Sequence, residues 1–300
     1  MNNKFKAIIF ILLNCAAFTF SMTLNKFINP SVPVSLKVLI RSSFGVLFFS
    51  PLLVKNGLII LISKRSNLQL LRVLLISMAM GATYFTYTTL PFTIAISIGF
   101  TGPIFTAVLA YLILKDRLRI GQWIAILIGY LGVVLMVNPQ GKMNAAIYIA
   151  IVGNIATGLS LICTKKLTRV DSNSTIVILG NIGLVVVSFL WTSLYGLASI
   201  FENDWLSINW VWLTWKDFKL LIAMGLLGTI SQLCNVKALK YASLSFLTLF
   251  EYSRLILAVP IGIFLGEALP GCEQIIGILL IIAATIYNSW QGNVEVNHEK

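Results

Sequence analysis

Charge is what this chain has least of. Only 11% of its 300 residues are Asp, Glu, Lys or Arg, against 58% hydrophobic, and the mean hydropathy is +0.92. So few charged side chains cannot build a water-facing surface, which excludes a soluble globular domain. Acidic residues number 10, and the one histidine, His298, lies in the polar C-terminal tail. A histidine proton relay inside the apolar segments is thereby excluded. The four cysteines, Cys15, Cys163, Cys234 and Cys272, have no CxxC or other metal-ligand spacing. Small apolar filler is their reading, and no metal or cofactor is called for. Walker-type and GxGxxG loops are missing, as is any nucleophile with a neighbouring base. An ATP-driven pump and an enzyme both lose their support.

What is present is one hydrophobic pattern written twice. Residues 5–137 and 145–290 each divide into five membrane-length segments, with a linker rich in Pro, Gly and Asn between them and a polar tail at 291–300. A shift of 140 lays Asn14, Lys26 and Arg41 on Asn154, Lys166 and Asn181, and a shift of 151 lays Asp116 on Glu267. An apolar helix of roughly 20 residues crosses the bilayer core. The expected fold is therefore an all-α membrane protein with ten transmembrane helices as two inverted five-helix repeats, since an odd number of spans reverses the second copy. Helices are expected over 5–24, 35–54, 69–89, 92–114 and 120–137, then 145–164, 174–198, 216–238, 244–265 and 273–290. The short links at Leu90-Pro91 and 241–243 predict tight antiparallel hairpins. The loop 199–215, with Trp205, Trp210, Trp212 and Trp215 beside Glu202 and Asp204, suits an outer headgroup layer.

The net charge of +12 does not point to nucleic acid, because no soluble face exists to carry it. With the N-terminus in the cytoplasm, most basic residues fall inside, among them Lys4, Lys6, Lys64, Arg65, Arg72, Lys165 and Lys166. Lys26, Lys37, Lys142, Lys216 and Lys219 fall outside. This bias predicts N-in, C-in topology in a bacterial inner membrane. Lys4 and Lys6 before an apolar run, and Leu12-Leu13-Asn14-Cys15, have the look of a cleaved leader. The internal counterpart at 147–164 argues that the segment is a span instead.

Ionisable residues inside the expected spans are Arg41, Glu251 and Arg254. A charge in hydrocarbon costs about 2.5–3.5 kcal/mol even on insertion scales, so each must face a cavity or a partner. Arg41 lies about 10 Å into its helix by helical rise, where its fork would match a carboxylate; snorkelling to the interface is the competing role. Glu251 and Arg254, three positions apart, share a helix face and either neutralise each other or meet a substrate. Asn14 and Asn154 sit at equivalent depths of the two copies, as opposite walls of a cavity or as bridges between helices. Asn181, Gln232 and Asn235 add further amides. Tyr84, Phe85 and Tyr87 form an aromatic cluster, and Phe250 and Tyr252 flank Glu251. Asp116 and Glu267, at helix ends on opposite sides, cannot form an acid pair.

Several stretches together resemble the EamA family of the drug/metabolite transporter superfamily. In the first copy these are Leu39-Ile40-Arg41, Gly102-Pro103 and Leu114-Lys115-Asp116-Arg117-Leu118 with Gln122-Trp123. In the second they are Lys237-Ala238-Leu239-Lys240-Tyr241-Ala242, Phe250-Glu251-Tyr252-Ser253-Arg254-Leu255 and Gly266-Glu267. Lys115-Asp116 departs from the family's usual Gly-Glu while keeping the acid. The resemblance implies a ten-helix inner-membrane carrier of small polar metabolites, and within the family the text is most similar to S-adenosylmethionine uptake transporters. Such a carrier would exchange its substrate for S-adenosylhomocysteine. A sulfonium substrate would find a counter-charge in Glu251 and aromatic faces in Tyr84, Tyr87 and Tyr252, with Asn14, Arg41, Asn154 and Arg254 completing the site. The implied partners are a cationic or zwitterionic metabolite and the lipid bilayer, with a homodimer as an option. Export of amino acids and a non-transporting scaffold or lipid-handling subunit are the alternatives.

Overall fold

The computed structural model describes residues 3–90, 95, 98–99, 101–115, 120–137, 145–200, 213–266 and most of 271–287. Every regular element among them is helical. The first half contains α1 (Asn3–Lys26), α2 (Val34–Phe48), α3 (Ser50–Asn56), a 3-10 helix (Gly57–Leu61), α4 (Ser66–Thr89), α5 (Thr101–Leu114) and α6 (Ile120–Val137). The second contains α7 (Ala145–Leu167), α8 (Asn173–Ile200), α9 (Trp215–Tyr241), α10 (Leu244–Thr248), a 3-10 helix (Leu249–Ser253) and α11 (Arg254–Phe264).

Among the described residues, five helices are long and apolar enough to cross a membrane: α1, α4, α7, α9 and residues 173–193 of α8. α5, residues 123–132 of α6 and the stretch 275–284 are shorter apolar helices. Side-chain placement matches a lipid solvent. Leu12, Leu13, Phe20, Leu70, Leu74, Phe189 and Leu190 point outward, while Asn14, Thr19, Ser21, Arg41, Arg72, Thr106, Ser160 and Thr229 are buried. A water-soluble bundle distributes them the other way. Many inward hydroxyls donate to the carbonyl four residues back, as Thr86 does to Ala82 at 2.7 Å and Thr164 to Ser160 at 2.8 Å. That bond satisfies the hydroxyl where water is scarce.

Packing joins the two halves throughout. α1 runs along α9, α4 along α7, and α2 lies against both α8 and α9. α5 packs on α7, while the 3-10 turn at Leu249–Ser253 packs on α1. Small residues permit the closest crossings: Gly153 of α7 faces Ala82 of α4 so tightly that a methyl group there would overlap it.

Two expected helices are interrupted. The helix expected over 35–54 ends at Phe48 and restarts at Ser50, with Pro51 entering the new first turn, a position where its missing N–H costs nothing. The span expected over 244–265 is three pieces, with the 3-10 segment at its centre and Pro260 inside α11. The hairpin link does hold: α9 ends at Tyr241 and α10 begins at Leu244. Pro91, Asp116, Glu267, His298, the tail and the loop tryptophans up to Trp212 lie outside the described residues.

Candidate functional site

A cavity of about 170 Å³ lies between the halves, walled by α1, α2, α4, α5, α7, α9 and the 3-10 turn carrying Glu251. Six of the eight expected site residues line it: Asn14, Arg41, Tyr87, Asn154, Glu251 and Arg254. Tyr84 does not; it is wholly buried, and its ring stands 6.0 Å from the Arg41 guanidinium carbon. Its place is therefore behind Arg41, as an aromatic support for the cation. Phe85, one helical step on, faces outward. Tyr252 belongs to the 3-10 turn, and its side chain lies outside the described residues.

Each polar group is held by an element of the other half or left facing the cavity. Asn14 of α1 accepts a 2.6 Å hydrogen bond from Ser231 Oγ of α9, and its Nδ2 has no partner among the described residues. Asn154 of α7 donates from Nδ2 to Ile98 O and Thr101 Oγ1, both at 2.9 Å. The two asparagines thus act as interhelical bridges and as cavity walls at once. Arg41 is 3% exposed and, among the described residues, makes one weak hydrogen bond, Nη1 to Met80 Sδ at 3.8 Å, while its Nε has no partner. Snorkelling is ruled out by that burial.

Glu251 and Arg254 form an ion pair at 3.6 Å, and the Arg254 guanidinium lies 4.3 Å from the Phe18 ring centroid. The pair sits where the span changes helical type, and Cys15 Sγ donates to the Phe250 carbonyl at 3.6 Å. Interrupted helices in membrane carriers expose backbone groups at the substrate level.

Arg72 corrects the sequence reading. Counted there among cytoplasmic surface charges, it is 2% exposed and lines the cavity. Nε donates to Thr164 Oγ1 at 2.8 Å and Nη1 to the Ile176 carbonyl at 2.9 Å. Lys37, expected on the outer surface, is likewise buried, within reach of the Asp217 carboxylate's field. The hydroxyls of Thr157, Ser160 and Thr164 were missed as well, although with Asn154 they repeat every three or four residues along α7. That polar stripe in an apolar helix was the available signal.

Among the described residues, the wall therefore carries three arginines and one carboxylate. It is cationic around Arg41, paired around Glu251 and aromatic at Phe18 and Tyr87. Such a surface can hold a carboxylate by bidentate hydrogen bonds and stack a flat or cationic group.

Comparison with known proteins agrees with this architecture. Residues 5–138 match the model of the EamA-like transporter family. An S-adenosylmethionine uptake transporter of Rickettsia prowazekii (strain Madrid E) is 24% identical over 250 residues, covering 82% of this chain and 80% of its own. An uncharacterized transporter of Helicobacter pylori (strain J99 / ATCC 700824) is 25% identical over 71% of this chain and 70% of its own. A riboflavin transporter of Vibrio cholerae (serotype O1, strain ATCC 39315 / El Tor Inaba N16961) is 26% identical over 64% and 60% respectively. One solved crystal structure superposes on 95% of this chain and 94% of its own with a TM-score of 0.68 at 16% identity, a likeness of fold alone. Over residues 5–138 the chain is thus similar to the EamA-like transporter family.

Proposed function

We propose that this chain is a secondary transporter of the bacterial inner membrane that takes up S-adenosylmethionine, in exchange for S-adenosylhomocysteine. The observation that carries the reading is the buried polar cavity lined from both halves, with Arg41 and Glu251 in its wall. A scaffold or lipid-handling subunit has no use for buried charges around a void, which cost several kcal/mol each unless compensated. Arg41 takes the substrate carboxylate, Glu251 faces the sulfonium, and Tyr87 stacks the base. Asn14, Asn154 and Arg254 complete the polar wall.

The working unit in this reading is two inverted five-helix repeats, 5–137 and 145–290, with both termini cytoplasmic. The packing supports it: exchanging α1 for α7, α2 for α8 and α4 for α9 maps the contact of α1 with α9 onto that of α7 with α4. The same exchange maps α2 with α9 onto α8 with α4. Alternating access then follows as rocking of one repeat against the other around the cavity.

Two observations favour a second reading, transport of amino acids or related metabolites. The cavity of about 170 Å³ is below the roughly 300 Å³ at which drug-sized pockets begin, so a nucleoside-sized substrate needs it to open. The surplus of arginines also disfavours a net cation. Uptake of labelled S-adenosylmethionine into cells expressing the chain, with S-adenosylhomocysteine and free amino acids as competitors, separates the two. Saturable uptake blocked by S-adenosylhomocysteine supports the first; absence of saturable uptake sinks it.

A further inference from the structure

Arg41 and Arg72 are placed alike with respect to opposite ends of the cavity. Arg41 stands seven residues after the start of α2, and Arg72 six residues after the start of α4. By helical rise each is about 10 Å from the end where its helix begins. α2 begins at one face and α4 at the other in the alternating path of the chain. Along α4, the backbone of Arg72 is eight residues, or about 12 Å by helical rise, from that of Met80, the contact of Arg41.

Each head also lies on a glycine of the second half. A methyl group at Gly228 would overlap the Arg41 guanidinium, and one at Gly180 would stand 2.7 Å from Arg72 Nη1. Among the described residues, Thr164 and Ile176 hold two of the five N–H groups of Arg72, and Arg41 has fewer bonds still. The one carboxylate among the described lining residues, already paired with Arg254 at 3.6 Å, cannot compensate both.

The geometry points to two oxyanion stations, Arg41 nearer the outer face and Arg72 nearer the cytoplasmic face, which bind the carboxylate of a carboxylate-bearing substrate in turn as the carrier reorients. This rests on the uptake reading and its N-in topology. A substrate entering from outside meets Arg41 first; after reorientation its carboxylate is released past Arg72. Arg72 is thus a substrate-binding residue of the cytoplasmic-facing state, and the required substrate class is an oxyanion carrier, whatever group is attached to it.

The test uses the full chain, purified and reconstituted in vesicles, with KM for S-adenosylmethionine measured separately at the outer and cytoplasmic faces. Arg72→Gln is expected to raise the cytoplasmic-face KM relative to the outer-face KM at least tenfold, and Arg41→Gln to shift that ratio the opposite way, with partial rescue by Lys at either position. An unchanged ratio, with both faces weakened equally, overturns the proposal and assigns Arg72 a structural role. Should the wild-type chain fail to move S-adenosylmethionine, or the variants fail to fold, phenylglyoxal labelling of the purified wild-type chain decides by peptide mass. Glutarate is expected to protect Arg41 and Arg72 where the isosteric glutaramide does not; equal labelling with both overturns the stations. Loss of flux together with glutarate protection would end the S-adenosylmethionine reading alone.

Discussion

The Glu251 carboxylate and the Arg254 guanidinium meet at 3.6 Å at the boundary between the 3-10 turn and α11. Neither charge is fully exposed, so each depends on the other. Glu251→Gln takes the carboxylate from Arg254 and leaves it beside the Phe18 ring and the Cys15 thiol, and the expected cost is about 1–3 kcal/mol of stability, at the lower end because the pair reaches the cavity. Flux is expected to fall at least tenfold while insertion into the membrane persists. The double variant Glu251→Gln/Arg254→Met should recover thermal stability without recovering transport. Normal flux in the single variant would make the pair purely structural.

Asn14 and Ser231 tie α1 to α9 through a 2.6 Å bond. Ser231→Ala should lower the melting temperature in detergent modestly, by about 0.5–2 kcal/mol of interhelical stabilisation. Asn14→Leu should be worse for transport than for stability, because it also removes the amide that faces the cavity. Equal losses in both measurements would leave Asn14 only a bridge.

Tyr84 has a buried hydroxyl with no hydrogen-bond partner among the described residues. Tyr84→Phe removes that orphan and keeps the ring over Arg41, so stability should hold or rise by up to about 1 kcal/mol. Tyr84→Ala removes the ring and should lower both stability and flux. A strong loss of flux in Tyr84→Phe would mean that the hydroxyl meets the substrate.

Gly228→Ala places a methyl group in the space of the Arg41 guanidinium. The side chain must turn away, and KM at the outer face should rise about tenfold with little change in maximal rate. Gly225→Ala instead meets the Arg41 carbonyl at 2.7 Å. Backbone cannot move as a side chain can, so loss of folded protein, seen in size-exclusion yield, is expected there.

Much of this molecule is legible in its sequence because a lipid solvent acts residue by residue. Arg41, Glu251 and Arg254 announce themselves, since a charge inside an apolar run has to be compensated wherever the run folds. Asn14 and Asn154 were found by the duplication. Arg72 was hidden by its position near a helix start, among Lys64 and Arg65, where a surface charge and a buried one read alike. The 3-10 break at Glu251 was hidden too, since nothing in Phe250-Glu251-Tyr252-Ser253 forbids a continuous helix.

What the sequence by itself determined is the membrane setting, the candidate spans and the short list of charges needing compensation, all consequences of local transfer free energy. Only the tertiary structure decided which polar groups share one cavity. That outcome depends on α4 meeting α7 and α1 meeting α9, elements far apart along the chain, and on glycines whose missing side chains make room for guanidinium groups brought from the other half.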